Sequence, residues 1–324
     1  MTREYEINIQ PGHVARHTPR NAGAQGREAA VVDIAQDLLL RRLHDEGLLD
    51  GVAIKGGTAI RKLYAGNEGR FSLDLDFAVA EVGQDRDEAA LSFAAAVDGL
   101  RVGPFEYGVR ERRGKWSVTF SSRFVAEPTL ATKLDFSPAP WLEPVRRGWV
   151  HMPVHDRYGG PLPEIKTVRL EENVSEKVAR LNRTTTARDM YDLAWISSQG
   201  ELWGGLDKAL IRRLAVLKVW TDSNGMHAGG TAWGPAHAKS LFDPERWLRP
   251  RGANEFDMED IGALAVPTPR PEDLSERVRA GFAFLAELDE QEERLARSDP
   301  RDRALAIKLL ESLPGGRLDG GILY

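Results

Sequence analysis

Apolar positions follow two different periods along the chain, and the change of period marks its organisation. Over residues 29–47 Val32, Ile34, Leu38, Leu39, Leu40 and Leu43 recur at helical spacing and Gly47 ends the run, which predicts an amphipathic helix. Val52-Ala53-Ile54 reads as a short strand broken by Gly56-Gly57, with Thr58 opening a helix to about Tyr64. Residues 71–80 alternate as a strand, with Leu73, Leu75 and Phe77 on one face. A helix over 86–99 follows, then strands near 105–111, 115–121 and 130–136 separated by Arg/Gly turns. Residues 8–28 are rich in Gly, Arg, His and Asn without a period, and predict a loop or extended arm.

Residues 137–164 hold six prolines and little pattern, which predicts a long connector and a domain boundary. From about residue 170 the period turns helical, over 171–183, 187–198, 206–220, 272–297 and 301–312, with a Gly-, Trp- and Asn-rich stretch at 222–254. The layout predicts an α/β chain: a mixed-sheet core with an N-terminal arm over 1–150, and a mainly helical domain over 151–324.

Composition narrows the classes. The 324 residues contain no cysteine, so disulfide frameworks, thiolate nucleophiles and Cys-based zinc sites are excluded. No apolar run approaches the ~20 residues that span a bilayer, and the first residues lack the apolar core of a signal peptide. The expectation is a soluble cytoplasmic protein without a membrane partner. The formal net charge of −5 argues against a general nucleic-acid coat, but the charge is uneven. Residues 101–150 hold 9 Lys and Arg against 5 Asp and Glu, whereas 251–300 hold 6 against 13. The basic stretch is either a solvated face or a local polyanion contact.

Three segments carry candidate chemistry. In Lys55-Gly56-Gly57-Thr58 a strand ends in two glycines before a helix, where backbone N–H groups point outward and a phosphate can approach, although a plain turn has the same pattern. In Ser72-Leu73-Asp74-Leu75-Asp76-Phe77 alternation puts Asp74 and Asp76 on one face, about 7 Å apart. They mark either a solvated strand face or a pair whose repulsion a divalent cation relieves. In Lys133-Leu134-Asp135-Phe136 the alternation repeats, and Asp135 faces the same cleft if the two strands are neighbours. Three carboxylates beside a phosphate site are the equipment of two-metal phosphoryl or nucleotidyl transfer.

The helical half adds Lys177, at the edge of the stripe Val174, Val178 and Leu181, as either an exposed lysine or a charge reaching toward phosphate. Glu176 has an ordinary role as an i,i+4 partner of Arg180, and Asp189 as the acid at the third helical position after an N-cap at Thr186. Asp192 either pairs with Arg188 or is a functional, semi-buried acid. Weaker candidates are His151 and His155, whose metal-like spacing Pro153 disrupts. Trp203, Trp220, Trp233 and Trp247 either stack on bases or pack helices. Arg110, Arg112, Arg113 and Lys115 form a basic turn, either solvated or tracking an RNA backbone.

Taken in order, Gly56-Gly57-Thr58, Arg70-Phe71-Ser72-x-Asp74-x-Asp76, Lys133-x-Asp135, Glu176-Lys177 and Arg188-Asp189-x-Tyr191-Asp192 resemble the AbiEii/AbiGii-type nucleotidyltransferase toxins, which include the MenT-type toxins. The resemblance covers roughly residues 30–200 and implies the fold of the DNA polymerase β-like nucleotidyltransferase superfamily. It implies the toxin half of a bacterial toxin–antitoxin or phage-exclusion pair, with a cognate antitoxin. The activity implied is transfer of nucleotides from an NTP to RNA, with the tRNA 3′ end as the leading acceptor and a block of translation as the outcome. The cofactor would be Mg²⁺, or Mn²⁺ in its place. By position, Asp74 and Asp76 would be metal ligands with Asp135 as the later strand acid. Gly56, Gly57, Thr58 and Ser72 would line the nucleotide pocket, Lys177 would reach the same cleft to contact the triphosphate, and Asp192 would be the fourth essential polar residue. The helical domain would contribute to the active site and to substrate binding. Two alternatives remain at this stage: AMP transfer to a protein hydroxyl, and a catalytically inactive binding partner.

Overall fold

The computed structural model describes residues 6–19, 23–125, 129–224, 241–249 and 257–317. They form two compact units, one of residues 1–138, 144–167 and 262–268, the other of residues 139–143, 168–261 and 269–324.

The first unit is built on an eight-stranded mixed sheet in the order β3-β4-β5-β6-β2-β1-β8-β7. The strands are β1 (Val52–Lys55), β2 (Asp74–Val79), β3 (Arg101–Val102), β4 (Phe105–Arg112), β5 (Lys115–Ser122), β6 (Leu130–Ser137), β7 (Val145–Arg147) and β8 (Ile165–Thr167). β2 runs parallel to β6 and β1 parallel to β8, and the other pairs are antiparallel. The expected strands are thus all present, and the proline-rich connector carries the edge strand β7, where proline does least harm to a ladder. Leu73 departs from the expectation. It lies before β2 begins, so the alternation does not yet act on it, and it is 51% exposed.

α3 (Gly56–Ile60) follows β1 and α4 (Arg86–Val97) follows β2; the two helices before them differ from the sequence expectation. α1 (Pro11–His17) lies within the expected arm, started by a proline at its first turn and a reciprocal Gln10–His13 capping box. α2 (Gly23–Asp45) is not half-exposed. From Ala29 to Arg41 every side chain is buried, including Asp33, Gln36, Asp37 and Arg41. Buried charges need partners. Asp33 accepts both Nε and Nη2 of Arg61, at 3.0 and 2.9 Å, and contacts Lys62 Nζ at 3.0 Å and His17 Nε2 at 2.9 Å. Asp37 takes Lys62 Nζ at 2.5 Å and the Tyr158 hydroxyl at 2.7 Å. Arg61 Nη1 donates in turn to the carbonyls of Gly66 and Gly69, at 3.1 and 2.7 Å. The network ties α2 to the helical segment 56–65 and to the turn leading into β2.

In the second unit α5 (Leu170–Arg183) packs on α8 (Lys208–Ser223), and α6 (Ala187–Ser198) on α10 (Pro271–Gly281). Glu172 accepts the backbone N–H groups of Trp141 and Leu142 at 3.0 and 2.8 Å, which gathers residues 139–143 into this unit. The expected helix 272–297 is interrupted. α10 ends at Gly281, residues 283–286 form a 3-10 turn, and α11 (Glu290–Ala296) restarts with an Asp289–Glu292 capping box. α7 (Gly200–Gly204), α9 (Pro244–Leu248) and α12 (Arg303–Glu311) complete it. Most of 222–254, including Trp233, lies outside the described residues. Among the described residues no helix is long and apolar enough to cross a membrane.

The buried network makes acid stability testable. Burial alone would raise the Asp33 carboxyl, but the charges of Arg61 and Lys62 outweigh it and hold the group well below its ordinary 3.8. Asp37 is likewise held low, against its own burial, chiefly by Lys62. A depressed carboxylate contributes stability at pH above its unfolded value and loses it as the pH falls through the folded one. Asp33→Asn should cost about 3–5 kcal/mol near neutrality, because it leaves Arg61 and Lys62 undercompensated. Urea midpoints of the two proteins should keep a constant gap down to about pH 5, and the gap should narrow below the ordinary 3.8. A gap that stays constant to pH 3 would contradict this account.

Candidate active site

The site begins at the end of β1. Gly56 adopts φ +72°, a left-handed conformation that suits glycine, and a Cβ there would sit 2.4 Å from Oδ2 of Asp76. A Cβ on Gly57 would sit 2.2 Å from Nη2 of the buried Arg70 and 3.3 Å from the Ser72 hydroxyl. The two glycines therefore let an acid and a guanidinium lie directly over the turn. Thr58 is fully buried, and its hydroxyl donates to the Asp74 carbonyl. Its hydrogen is thus spent in locking the turn to β2, a structural duty beyond the nucleotide-lining role that the resemblance implies. Ser72 is buried beside Gly57, and its carbonyl accepts from Gln36 at 3.2 Å.

The ladder between β2 and β6 decides the carboxylates. Asp74 lies opposite Lys133 and Asp76 opposite Asp135, while Lys55 on β1 lies opposite Asp76. Residues opposite one another share a face. Asp74, Asp76 and Asp135 accordingly converge on one face, half-exposed, with Leu75, Phe77 and Leu134 buried on the other. Lys133 stands among them. Its ammonium is bonded to Asp135. Partial burial pulls Lys133 toward its neutral form, but Asp135, and then the fields of Asp74 and Asp76, outweigh this and raise it above the usual lysine range. Alternation along β6 places Lys133 on this face without assigning it a function, and its i+2 spacing from Asp135 is the available signal.

Among the described residues no three His, Asp or Glu side chains gather closely enough to cage an ion alone. The donor chemistry suits an open site instead. Mg²⁺ usually takes one or two carboxylates and completes its shell with water and phosphate oxygens, which Asp74 and Asp76 can provide for. Asp135 is already bonded to Lys133.

In the second unit Lys177 is 1% exposed, not at a solvent edge. Its Nζ meets Asp189 at 2.9 Å and Asp192 at 2.8 Å. Asp189 also contacts Arg180 at 3.3 Å and accepts the Thr186 hydroxyl at 3.1 Å. The expected local pairs give way to these. Arg180 turns to Asp189 rather than Glu176, Glu176 lies 3.6 Å from Lys218, and Arg188 lies 3.7 Å from Asp260. Burial explains the exchange, since an enclosed ammonium needs full compensation that surface pairs do not.

The weaker candidates resolve as packing. Trp220 and Trp247 are buried, and Trp203 lies 5.0 Å from Phe282 between ring centroids. His151 pairs with Asp156 at 2.8 Å, and His155 lies 3.4 Å from Asp37.

A mixed sheet that presents paired strand carboxylates beside a Gly-Gly turn is the arrangement of a nucleotidyltransferase. The family model for the nucleotidyl transferase AbiEii toxin of type IV toxin–antitoxin systems matches residues 37–303, and the chain belongs to that family. Among solved structures it is similar to MenT4, a nucleotidyltransferase toxin from Mycobacterium tuberculosis. The two are 35% identical, with a TM-score of 0.79, over 94% of this chain and 99% of that one. No curated protein sequence matches.

Two substitutions test the geometry. Gly56→Ala should cost about 1–2 kcal/mol in backbone strain and push the Asp76 carboxylate aside. Transfer should therefore fall at least ~10-fold, about 1.4 kcal/mol at the transition state, and wild-type rates would refute the close approach. Lys177→Met should destabilise by about 3–5 kcal/mol, because it removes the buried ammonium that two buried carboxylates share. An unchanged urea midpoint would show that Lys177 is not enclosed as described.

Proposed function

We propose that the protein transfers a nucleotide from an NTP to the 3′ end of an RNA, with tRNA as the acceptor, and so blocks translation until a cognate antitoxin neutralises it. NTP, tRNA and antitoxin would all be met in the cytoplasm. The observation that supports this most is the parallel register of β2 and β6, with Asp74 and Asp76 on one solvent-side face above Gly56. The tRNA acceptor and the phage-exclusion setting rest on the family resemblance.

In the proposed step an acceptor hydroxyl oxygen attacks the α-phosphorus of the NTP. A new P–O bond forms, the α–β P–O bond breaks, pyrophosphate leaves, and the hydroxyl proton passes to solvent. Asp74 and Asp76 would hold a divalent cation, Mg²⁺ or Mn²⁺, which supplies charge for the phosphates and lowers the pKa of a bound hydroxyl. Gly56 and Gly57 leave room over the turn, and Ser72 lies beside it. Lys133 holds Asp135, so that carboxylate is oriented on the same face whether or not it touches the ion. Lys177 and Asp192 enter the proposal as a second polar set on which transfer depends, following the resemblance.

The test is incubation with total RNA and each labelled NTP in the presence of Mg²⁺. Wild-type protein should label RNA of tRNA size, and EDTA should abolish the label. Asp76→Ala should give background labelling from a folded protein, since removing one of two repelling, half-exposed carboxylates costs little stability. A folded, fully active Asp76→Ala protein would remove the metal assignment, and label in protein rather than RNA would replace the acceptor.

A further inference from the structure

Four cations at the β4–β5 tip take no part in the site as built above, yet the ladders place three of them in line with it. Asp74 and Asp76 lie opposite Lys133 and Asp135, and Lys133 lies opposite Ser117. Ser117 in turn lies opposite Arg110, and Lys115 opposite Arg112. Opposed residues share a face, as do residues two apart on one strand. One face therefore carries, from β2 outward to β4, Asp74 and Asp76, Lys133 and Asp135, Lys115 and Ser117, then Arg110 and Arg112. At about 4.8 Å per strand the lane runs roughly 14 Å from the carboxylates to its basic end.

The cations at that end are uncommitted. Arg110, Arg112, Arg113 and Lys115 are all exposed, and among the described residues none forms an ion pair. The exposed Arg86 and Arg146 of this unit are paired, with Asp87 at 3.6 Å and Asp50 at 3.0 Å, as is the half-buried Arg42 with Glu46 at 2.8 Å. The nearest acid in sequence, Glu111, faces the other side of the sheet and accepts the backbone N–H of Gly114. Arg113 and Gly114 have φ of +55° and +73°, the two-residue turn whose twist matches the flanking strands. The tip is thus a firm extension of the sheet that holds like charges together, an arrangement that favours a polyanion.

We propose that this lane is the acceptor track: the RNA backbone lies along Arg110, Arg112, Lys115 and Ser117, and its 3′ hydroxyl end reaches Asp74 and Asp76. The inference rests on the reading of the acceptor as RNA. Phosphate contacts set position and register without reading sequence, so the track would orient the acceptor end and leave base preference to other groups.

The experiment compares wild-type protein with the triple variant Arg110→Gln, Arg112→Gln, Lys115→Gln, using unfractionated tRNA and labelled NTP over a series of KCl concentrations. The control triple variant Arg42→Gln, Arg86→Gln, Arg146→Gln removes the same net charge from paired positions. The track variant should keep its melting temperature, its KM for NTP and its kcat, while its KM for tRNA rises at least ~10-fold. Its log–log salt slope should become shallower by about 2, since each lost phosphate contact removes about 0.7–0.9. Arg110→Lys with Arg112→Lys should retain most of the affinity, because a point charge suffices for a phosphate. A track variant with wild-type KM and salt slope for tRNA would overturn the proposal and leave the tip as a surface for an acidic protein. A control variant that loses as much affinity as the track variant would overturn it too. Absence of label in RNA from wild-type protein is a different result, which fails the acceptor reading itself.

Discussion

The turns that flank the candidate site are tied to α2 by four buried charges. Asp33 and Asp37 on α2 and Arg61 and Lys62 on the following helical segment are each at most 2% exposed. Such a cluster is costly to desolvate and returns that cost only when its geometry is met. An apolar set of the same volume would bury as much surface but would slide. The bidentate Arg61–Asp33 pair does not, and Lys62 bridges both acids. Arg61 also clamps the carbonyls of Gly66 and Gly69, so the turn before β2 is held by the same group that holds α2. The β1–β2 ladder, with Lys55 opposite Asp76, then sets the close approach of Asp76 to Gly56, and the Thr58 hydroxyl bonds to the carbonyl at the start of β2.

This explains which parts were legible in the sequence. Strand alternation is a local rule: it puts Asp74 and Asp76 on one face, and Asp135 joins them only if the two strands are neighbours. The β2–β6 pairing then brought them together. Gly56 was legible as a break, though its reason, an acid lying over it, was not. Asp33 and Asp37 were illegible for the opposite cause. Spaced i,i+4 on a helix, two acids look like a solvated face, and nothing local announces that Arg61, Lys62 and Tyr158 will enclose them. Lys177 failed in the same way. Its surroundings along α5 describe an edge, while its burial comes from the acids of α6, twelve or more residues away.

The broken helix after residue 271 is a different kind of miss. Apolar spacing continues through the 3-10 turn at 283–286, because Phe282 and Leu285 are buried there as helix residues would be. Periodicity therefore could not report the break. Capping chemistry could, since Asp289 and Glu292 form the box that restarts α11. The same holds for α1, where Pro11 marks a helix start inside a stretch with no apolar period.

The division of charge across the active face follows from register as well. Three carboxylates within two adjacent strands would repel one another equally if nothing distinguished them. Lys133, opposite Asp74 and two residues from Asp135, distinguishes them by bonding to Asp135 alone. One strand then carries an internally balanced ion pair, while the neighbouring strand presents Asp74 and Asp76, with Lys55 of β1 opposite Asp76. The proposed cation would thus sit at Asp74 and Asp76, which β2 presents beside the Gly56-Gly57 turn. In the proposed reaction that is also where the phosphates must lie, so the cation would be drawn to the strand that borders the nucleotide and not to the one beyond it. A lysine in this position places the charge without occupying the turn, which an arginine fork bridging both strands would not do as cleanly.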